Sequence, residues 1–583
     1  MSNMDMRLVQ DNPSVNKKRS YIPFMKHKSQ FDFNKGLLVP MDRPWEVLPG
    51  DTWKVKHALK MRMTNPPKVP VMDQLVLDIF FFYTPLRILW NEFDKFITGD
   101  VGTDWTQVST LTVPTLVFAG SGTNSVYEKG SLLDYLGCPV NNTNNSSFKF
   151  GVNALPIRGY YKIWNWWFRY ESMQEELYIY EGSNNENYDV GNGSISWQGT
   201  PPAMSDIYSA STVDNYMLGL RANATKCCWL APVCKLPDVF TRCLPQPLAA
   251  PDVEIMDFSD FNITNFVIGG TSNADRVYGG FSSAPSLASL DVTVSSGSIG
   301  QFGQGPKSLY SIGGTAFSNG GVVSGITGNT IRDLRTAIQI EQIFTLEARF
   351  SRRLPDWSIA MFATNVPDFR VQQPEMLGRK RIYVNVNQVI QSSSSVTNSP
   401  QGNVGAWSDT IDSGFDFVKS FCEFGYIYSL CCVRVLNRTY SQGIDKMYSR
   451  STRFNFYMPP LANISDQPVG KRELFNQYMA GGNPVFGYQE AWYDYKYLPN
   501  HVANHCRPDV SNTIAIWNYG EYYSGVPSFS ESFIIEPTYD IDRTMYLSSS
   551  ITVSQFLMDI VFDIDCYRVM PLHSVAGLMD HIF

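Results

Sequence analysis

Few residues in this chain are spaced for catalysis. His501, His505 and Cys506 bring together donor types that zinc accepts. Pro499, Asn500, Asn504 and Pro508 argue against a helix that would align the two histidines, and no second ligand cluster accompanies them, so ordinary loop histidines are the better reading. Residues 300–308, GQFGQGPKS, approach a phosphate loop in composition. Pro306 intrudes between Gly305 and Lys307, however, and no apolar strand leads into the run. Glu175-Glu176 and Asp563-x-Asp565 place carboxylates close in sequence but without the partners that acid–base work needs. Nucleophile-elbow, dinucleotide and zinc-protease motifs are absent. The residues support neither an enzyme nor a bound cofactor or metal.

Two other sets suit binding. The chain of 583 residues carries a net charge of −7, so it is no general nucleic-acid binder. Its cations are nonetheless uneven: residues 7–35 hold seven basic side chains (Arg7, Lys17, Lys18, Arg19, Lys26, Lys28, Lys35) against Asp11 and Asp32. This reads as a basic N-terminal arm, either a solvated terminus or a set of phosphate contacts in which Lys17, Lys18, Arg19, Lys26 and Lys28 are the candidates. The second set is aromatic. Charged residues make up only 17% of the chain and aromatics 14%, a balance found where subunit contacts are buried. In FGYQEAWYDYKYLPN, Tyr488, Trp492, Tyr493 and Tyr495 are candidate interface anchors, and Trp164, Trp166 and Trp167 either join them or fill the interior.

The elements that must carry these residues are mostly strands. Residues 51–64 alternate, with Trp53, Val55, His57, Leu59, Met61 and Met63 on one face and Lys54, Lys56, Ala58, Lys60 and Arg62 on the other, which predicts a half-buried strand. Residues 75–84, LVLDIFFFYT, are apolar almost throughout and suit a strand covered on both faces. Pro85 then opens a predicted helix through LRILWNEFDKFI, and residues 158–170 predict an aromatic helix. Residues 251–330 change character, with 14 Gly and 13 Ser and only Arg276 and Lys307 as cations. Short alternating pieces among glycine-rich turns suit a surface insertion of small strands and loops, the alternative being a linker. Thr330-x-x-Asp333 resembles a capping box opening a helix whose Ile331, Leu334, Ile338, Ile340, Ile343 and Phe344 wrap more than one face and so call for burial. Strand-like runs resume at RIYVNVNQVIQ, YIYSLCCVRVL, TRFNFYM and ITVSQFLMDIVF. A mainly β fold follows: one sandwich or jelly roll with long excursions and a few short helices.

The ten cysteines show no C-x-x-C spacing and read as reduced, mostly buried thiols made in a cytoplasm. The N-terminus lacks the apolar core of a signal peptide, and the most apolar stretch holds Asp78, Pro85 and Arg87, so membrane insertion is not expected.

Several blocks resemble one known family. LPGDTWKVKHALKMRMTNPPKVPVMDQLVLDIFFFYTPLRILWNEFDKFITG is similar to the first block of gokushovirus major capsid proteins, within the Microviridae. Its Leu48 to Asp51 turn, the Met72-Asp73 pair, the aromatic run Phe80 to Phe82 and Trp90 fall in family order. LPIRGYYKIWNWWFR, KLPDVFTRCLPQP, IRDLRTAIQ, VPDFRVQQPEMLG, TYSQGIDKMYSR, FGYQEAWYDYKYLPN and the terminal RVMPLHSVAGLMDHIF each resemble later blocks. TKCCWLAPVCK departs from the pattern, and FGYQEAWYDYKY has alanine and tyrosine where more charge is expected, which points to a divergent lineage.

The resemblance implies an eight-stranded viral jelly-roll barrel divided as follows: arm and lead-in at 1–50, first part of the barrel with helical insertions at 51–249, variable insertion at 250–330, and the rest of the barrel at 331–583. It implies a structural protein that assembles with itself into a sixty-subunit T=1 icosahedral shell around circular single-stranded DNA, in the cytoplasm of a host bacterium. The insertion would protrude at three-fold axes and meet a host-surface receptor. A small basic internal DNA-binding protein and an assembly scaffolding protein are the further partners implied. The rival reading is a β-rich phage attachment or carbohydrate-binding protein, which also combines aromatics with turn-rich loops.

Overall fold

A computed structural model describes residues 20–99, 111–119, 129–140, 151–181, 230–247, 331–349, 353–395, 400–476, 482–546 and 554–570, a few single positions apart, together with short strand segments at 186–189, 194–197, 277–278 and 310–311. The contacts divide the chain into two units, Met1–Ala250 with Leu346–Phe583, and Pro251–Thr345.

The first unit is built on ten strands: β1 Ser20–Pro23, β2 His27–Phe33, β3 Val39–Pro40, β4 Trp45–Val47, β5 Thr52–Met63, β6 Leu75–Pro85, β7 Glu375–Tyr383, β8 Thr410–Ser420, β9 Gly425–Val435 and β10 Phe556–Arg568. One sheet runs β1–β10–β5–β8, with β2 also paired to β10, and the other runs β7–β6–β9–β3, with β4 also on β9. Every pairing in these two sheets is antiparallel. If β3 and β4 are taken as one interrupted strand and β1 is set aside, eight strands remain, four to each sheet, and successive strands change sheet except at the β6–β7 step. In chain order they lie 1-8-3-6 in one sheet and 2-7-4-5 in the other. That winding is a jelly roll, and it explains why the N-terminal β2 and C-terminal β10 are neighbours: the register pairs His27 with Phe562 and Phe33 with Phe556.

Burial follows from the alternation of the strands. On β5, Trp53, Val55, His57, Leu59, Met61 and Met63 all point inward, as the period-two pattern predicts. β10 does the same through Phe556, Met558, Ile560 and Phe562, while Asp559, Asp563 and Asp565 face outward. β6 and β9 are buried along their whole lengths, because the second sheet is covered on its outer face as well. That cover begins with the helix Leu155–Ile163 and the π-turn Trp164–Phe168, whose Phe168 ring lies 5.1 Å from Phe80 and whose Trp167 ring lies 5.7 Å from Phe82.

Three predicted elements differ in detail. The helix after Pro85 divides into a 3₁₀ turn, Leu86–Ile88, and a helix, Phe93–Thr98, because Trp90 turns fully inward between them. The aromatic helix loosens into the π-turn where Asn165 clasps the backbone of Leu177 from both sides, at 2.8 and 3.0 Å. TRFNFYM is no strand: Arg453–Asn455 forms a 3₁₀ turn, with Phe454 and Phe456 exposed, no sheet edge beside it and Pro459-Pro460 following.

In the second unit, Val277–Tyr278 pairs antiparallel with Tyr310–Ser311, and the remainder of residues 251–330, the capping Thr330 included, lies outside the described residues; so do Cys227-Cys228 of the first unit. The helix Ile331–Arg349 is present. Its expected burial is not seen at Ile338, Ile340 and Ile343, which stand exposed. The eight described cysteines are free thiols, with Cys243, Cys431, Cys432 and Cys566 buried.

Candidate interaction surfaces

The basic arm reaches the described residues at β1 and β2. There, Lys28 Nζ lies 2.7 Å from Asp559 and Lys26 lies 4.0 Å from Asp563, all at least partly exposed. From the other side of β10, Lys54 lies 3.9 Å from Asp565, while Lys60 and Arg62 both turn to Asp409. The outer face of this sheet is therefore a charge ladder, an acidic central strand between two basic ones. Such exposed pairs each contribute about 0–1 kcal/mol, but they leave Lys26 and Lys28 already matched by carboxylates. Lys17, Lys18 and Arg19 lie outside the described residues.

At the edge of the same sheet the character changes. Ile411, Phe415 and Val418 of β8 project outward beside Lys60, Lys56 and Lys54 and are all more than half exposed. β7 runs along the free edge of β8, with Lys380 paired to Asp412, so it is these outward side chains and not the strand's backbone that a second chain would cover.

The aromatic candidates divide sharply. Tyr488 is half-buried on the hairpin Gln467–Gly470 and Val485–Gln489, and exchanges both backbone hydrogen bonds with Leu244 at 2.8 and 2.9 Å. Trp492 sits at φ 62°, which turns its indole inward to donate 2.7 Å to the Leu461 carbonyl. Tyr493 is buried in a second small core with Phe240, Val469, Leu474, Phe486, Phe533 and Ile534. Its hydroxyl donates 2.6 Å to Glu473, and Lys446 covers its ring at 4.2 Å. Burial pushes the Glu473 carboxyl above its usual range despite that hydrogen bond. Trp492 and Tyr493 thus hold the chain's own loops and have little area left for a neighbour. Tyr495, half exposed, lies outside this core. Arg450 covers its ring at 4.2 Å, donates 2.6 Å to its hydroxyl and also pairs with Asp494.

Around Tyr495 the structure gathers residues that the sequence pattern did not single out. Met447, Tyr448, Phe454, Phe456 and Tyr457 are each about half exposed or more. Tyr457 lies 6.1 Å from Tyr495 and Arg450 covers both Tyr495 and Phe456, so these rings form one exposed aromatic surface, with Met447, Tyr448 and Phe454 exposed on the neighbouring 3₁₀ turns. Three aromatics within five residues (Phe454, Phe456, Tyr457) were the available signal, hidden by a strand-like alternation. Of the tryptophans left open, Trp164 is wholly buried and donates 2.8 Å to the Pro232 carbonyl, so it belongs to the interior; Trp166 and Trp167 are partly exposed.

His501, His505 and Cys506 form no ligand cluster, and no group of metal-ligating side chains occurs among the described residues. No described helix is long and apolar enough to cross a membrane.

A jelly roll with exposed apolar, aromatic and charged surfaces fits a class of protein: structural subunits that act by contact. Within that class the comparisons are specific. The model of the family described as "Capsid protein (F protein)" matches residues 13–578, and the chain belongs to that family. It is 29% identical to "Capsid protein VP1" of Chlamydia phage 1, over 97% of this chain and 98% of that protein. Capsid protein VP1 of Spiroplasma virus 4 is also 29% identical, over 96% of each chain, and that of Bdellovibrio phage phiMH2K is 29% identical over 91% of this chain and 90% of its own. The chain is accordingly a structural capsid protein of the Microviridae type, a component of a bacteriophage virion.

Proposed function

We propose that sixty copies of this chain close into a T=1 icosahedral shell around a circular single-stranded DNA genome, assembled in the cytoplasm of the host bacterium. The observation that carries this reading is the end-to-end likeness to capsid proteins VP1, over at least 90% of each relative. The uncovered apolar residues of β8 and of the Tyr495 surface support it, because a closed shell needs unlike faces that meet between copies. Expression with the scaffolding protein followed by negative-stain microscopy tests it. Closed particles of uniform diameter are the expected result. Soluble monomers or trimers that bind a saccharide would overturn it in favour of an attachment protein.

Within that shell, the arm residues Lys17, Lys18 and Arg19 reach inward to phosphates, and contact with the genome is electrostatic and independent of sequence. A net charge of −7 leaves this chain unable to neutralise a genome by itself, so a small basic internal protein supplies the remaining cations. The insertion at 251–330 meets the host-surface receptor, since glycine- and serine-rich loops vary without disturbing the barrel. Deleting residues 260–325 is expected to spare the subunit fold and abolish adsorption to cells; normal infection by the deleted particle would refute the receptor role.

A further inference from the structure

On the outer face of the second sheet, beyond the π-turn, lies an open groove of about 960 Å³. Arg379, Arg381 and Arg434 line it, and beneath them lies Asp78, fully buried in β6, a strand that is otherwise almost all apolar. Asp78 faces three guanidinium groups. Arg381, directly opposite on β7, donates to it through Nε at 2.7 Å and through Nη2 at 3.0 Å. Arg434 of β9 also pairs with it, and Arg379 lies 3.6 Å away. No other carboxylate pairs with these arginines among the described residues, so one negative charge answers three positive ones. Arg434 is nine-tenths buried and its Nε has no hydrogen-bond partner. Arg379 and Arg381 are the partly exposed members of this cluster, which is short of negative charge, and they can present donors to an anion in the groove.

The walls narrow the choice of anion. Arg379 covers the Phe80 ring at 5.4 Å, and Trp167, Phe168 and Tyr497 line the groove half-buried. Arg242 adds a further exposed cation at the rim, without a carboxylate partner among the described residues. The acidic lining groups are engaged elsewhere: Asp238 accepts from the Tyr440 hydroxyl at 2.6 Å, and Glu490 is held by Lys496 at 2.9 Å. Cations alternating with aromatic faces in an open, elongated site are the means by which proteins hold single strands, with phosphates on arginine and bases on rings.

We propose that this groove holds a segment of single-stranded nucleic acid, its phosphates on Arg379, Arg381 and Arg242 and its bases against Tyr497, Trp167 and Phe168. The inference rests on the reading that this chain encloses a single-stranded genome, and it identifies a contact site apart from the basic arm.

The test measures fluorescence anisotropy of a labelled ten-residue oligothymidine with the full chain over a range of salt. Three variants probe the groove or its surroundings: Arg379→Ala with Arg242→Ala, Tyr497→Ala, and a Lys54→Ala with Lys60→Ala control on the charge ladder. The arginine pair is expected to weaken binding at least tenfold and to reduce the salt dependence of log affinity by roughly 0.7 for each phosphate contact removed. Tyr497→Ala is expected to weaken binding by about five- to a hundredfold, in line with the loss of one stacked base. The ladder control should bind as the parent does. Thermal unfolding at the parent's midpoint confirms that the exposed-residue variants are folded.

If the parent binds oligothymidine and both groove variants match it, the groove is the wrong site while genome contact stands. If the parent binds no single strand at any salt, genome contact by this chain fails along with the groove. Equal affinity for an abasic phosphodiester strand would overturn the assignment to nucleic acid, since charge alone would then explain the site.

Discussion

Lys35 Nζ lies 2.7 Å from Glu536 Oε1, and neither side chain has any contact with solvent. The lysine closes the basic arm and the glutamate lies more than five hundred residues later, so the pair fastens the start of the chain to its end. Asp540 lies 2.6 Å from the same nitrogen, and Arg438 reaches Glu536 from the end of β9. Arg438 also meets Glu521, which Lys235 approaches at 3.3 Å. Three cations and three carboxylates balance inside the protein.

Removing one member of such a group leaves an uncompensated buried charge. Lys35→Met is expected to destabilise the subunit by about 3–5 kcal/mol, measured by urea denaturation. Exposed Lys54→Met, whose partner Asp565 lies 3.9 Å away and is open to solvent, should cost about 0–1 kcal/mol in the same assay. Similar losses for the two would contradict the structural role of the buried pair.

The same network sets an acid limit. Burial alone would raise the Glu521 carboxyl, but Arg438 and Lys235 outweigh it and hold the group down at about 2. A carboxylate with a lowered folded value contributes stability above its unfolded value, near 4.3, and loses it as pH falls toward the folded value. The contribution is on the order of 3 kcal/mol and should disappear between about pH 4.5 and 2. Asp78, held low by Arg381 and Arg434 against the effect of burial, changes in the same direction. Denaturation midpoints across pH 7 to 2 should therefore be flat to about 5 and then fall. Glu521→Gln should flatten part of that fall while lowering stability at neutral pH.

Much of the barrel was legible in the sequence, and the reason is physical. β5 and β10 each bury one face, so their alternation survives in the residue order, and β6 is covered on both faces, so it reads as a continuous apolar run. What could not be read was pairing across distance. Nothing local to Asp78 indicates that Arg381 and Arg434 will surround it, because the register of three strands makes that contact. Trp492 and Tyr493 looked like interface anchors on composition alone; a left-handed backbone at Trp492 and a buried acceptor on Glu473 turn both inward. Local spacing carries the first kind of information and not the second.

Close packing between the second sheet and its covering helix gives a further expectation. A Cβ on Gly159 would lie 2.0 Å from the Tyr428 hydroxyl, which is buried and donates 2.9 Å to the Pro156 carbonyl. Neither the helix nor β9 has room to give way. Gly159→Ala, which favours a helix in isolation, is instead expected to destabilise by about 1–3 kcal/mol through overpacking. Denaturant titration checks this, and the companion change Tyr428→Phe in the Gly159→Ala background should recover part of the loss by removing the clashing oxygen.

Assembly offers the sharpest separation between folding and function. Phe454 and Phe456 are both at least half exposed and belong to neither hydrophobic core. Their removal should change subunit stability by no more than about 0.5 kcal/mol, as for most surface substitutions. If the Tyr495 surface is where copies meet, Phe454→Ala with Phe456→Ala instead removes interface anchors, each contributing about 2 kcal/mol or more. Multiplied around a closed shell, a loss of that size is expected to shift the protein from particles to free subunits in sedimentation, with an unchanged melting point for the subunit. Trp164→Ala should behave in the opposite way: its wholly buried indole supports the fold, so a loss of about 3–5 kcal/mol would lower soluble yield before assembly is reached. Particles forming normally from the double phenylalanine variant would remove this surface from the contacts between copies and leave the β8 edge, with Ile411, Phe415 and Val418, as the place to look.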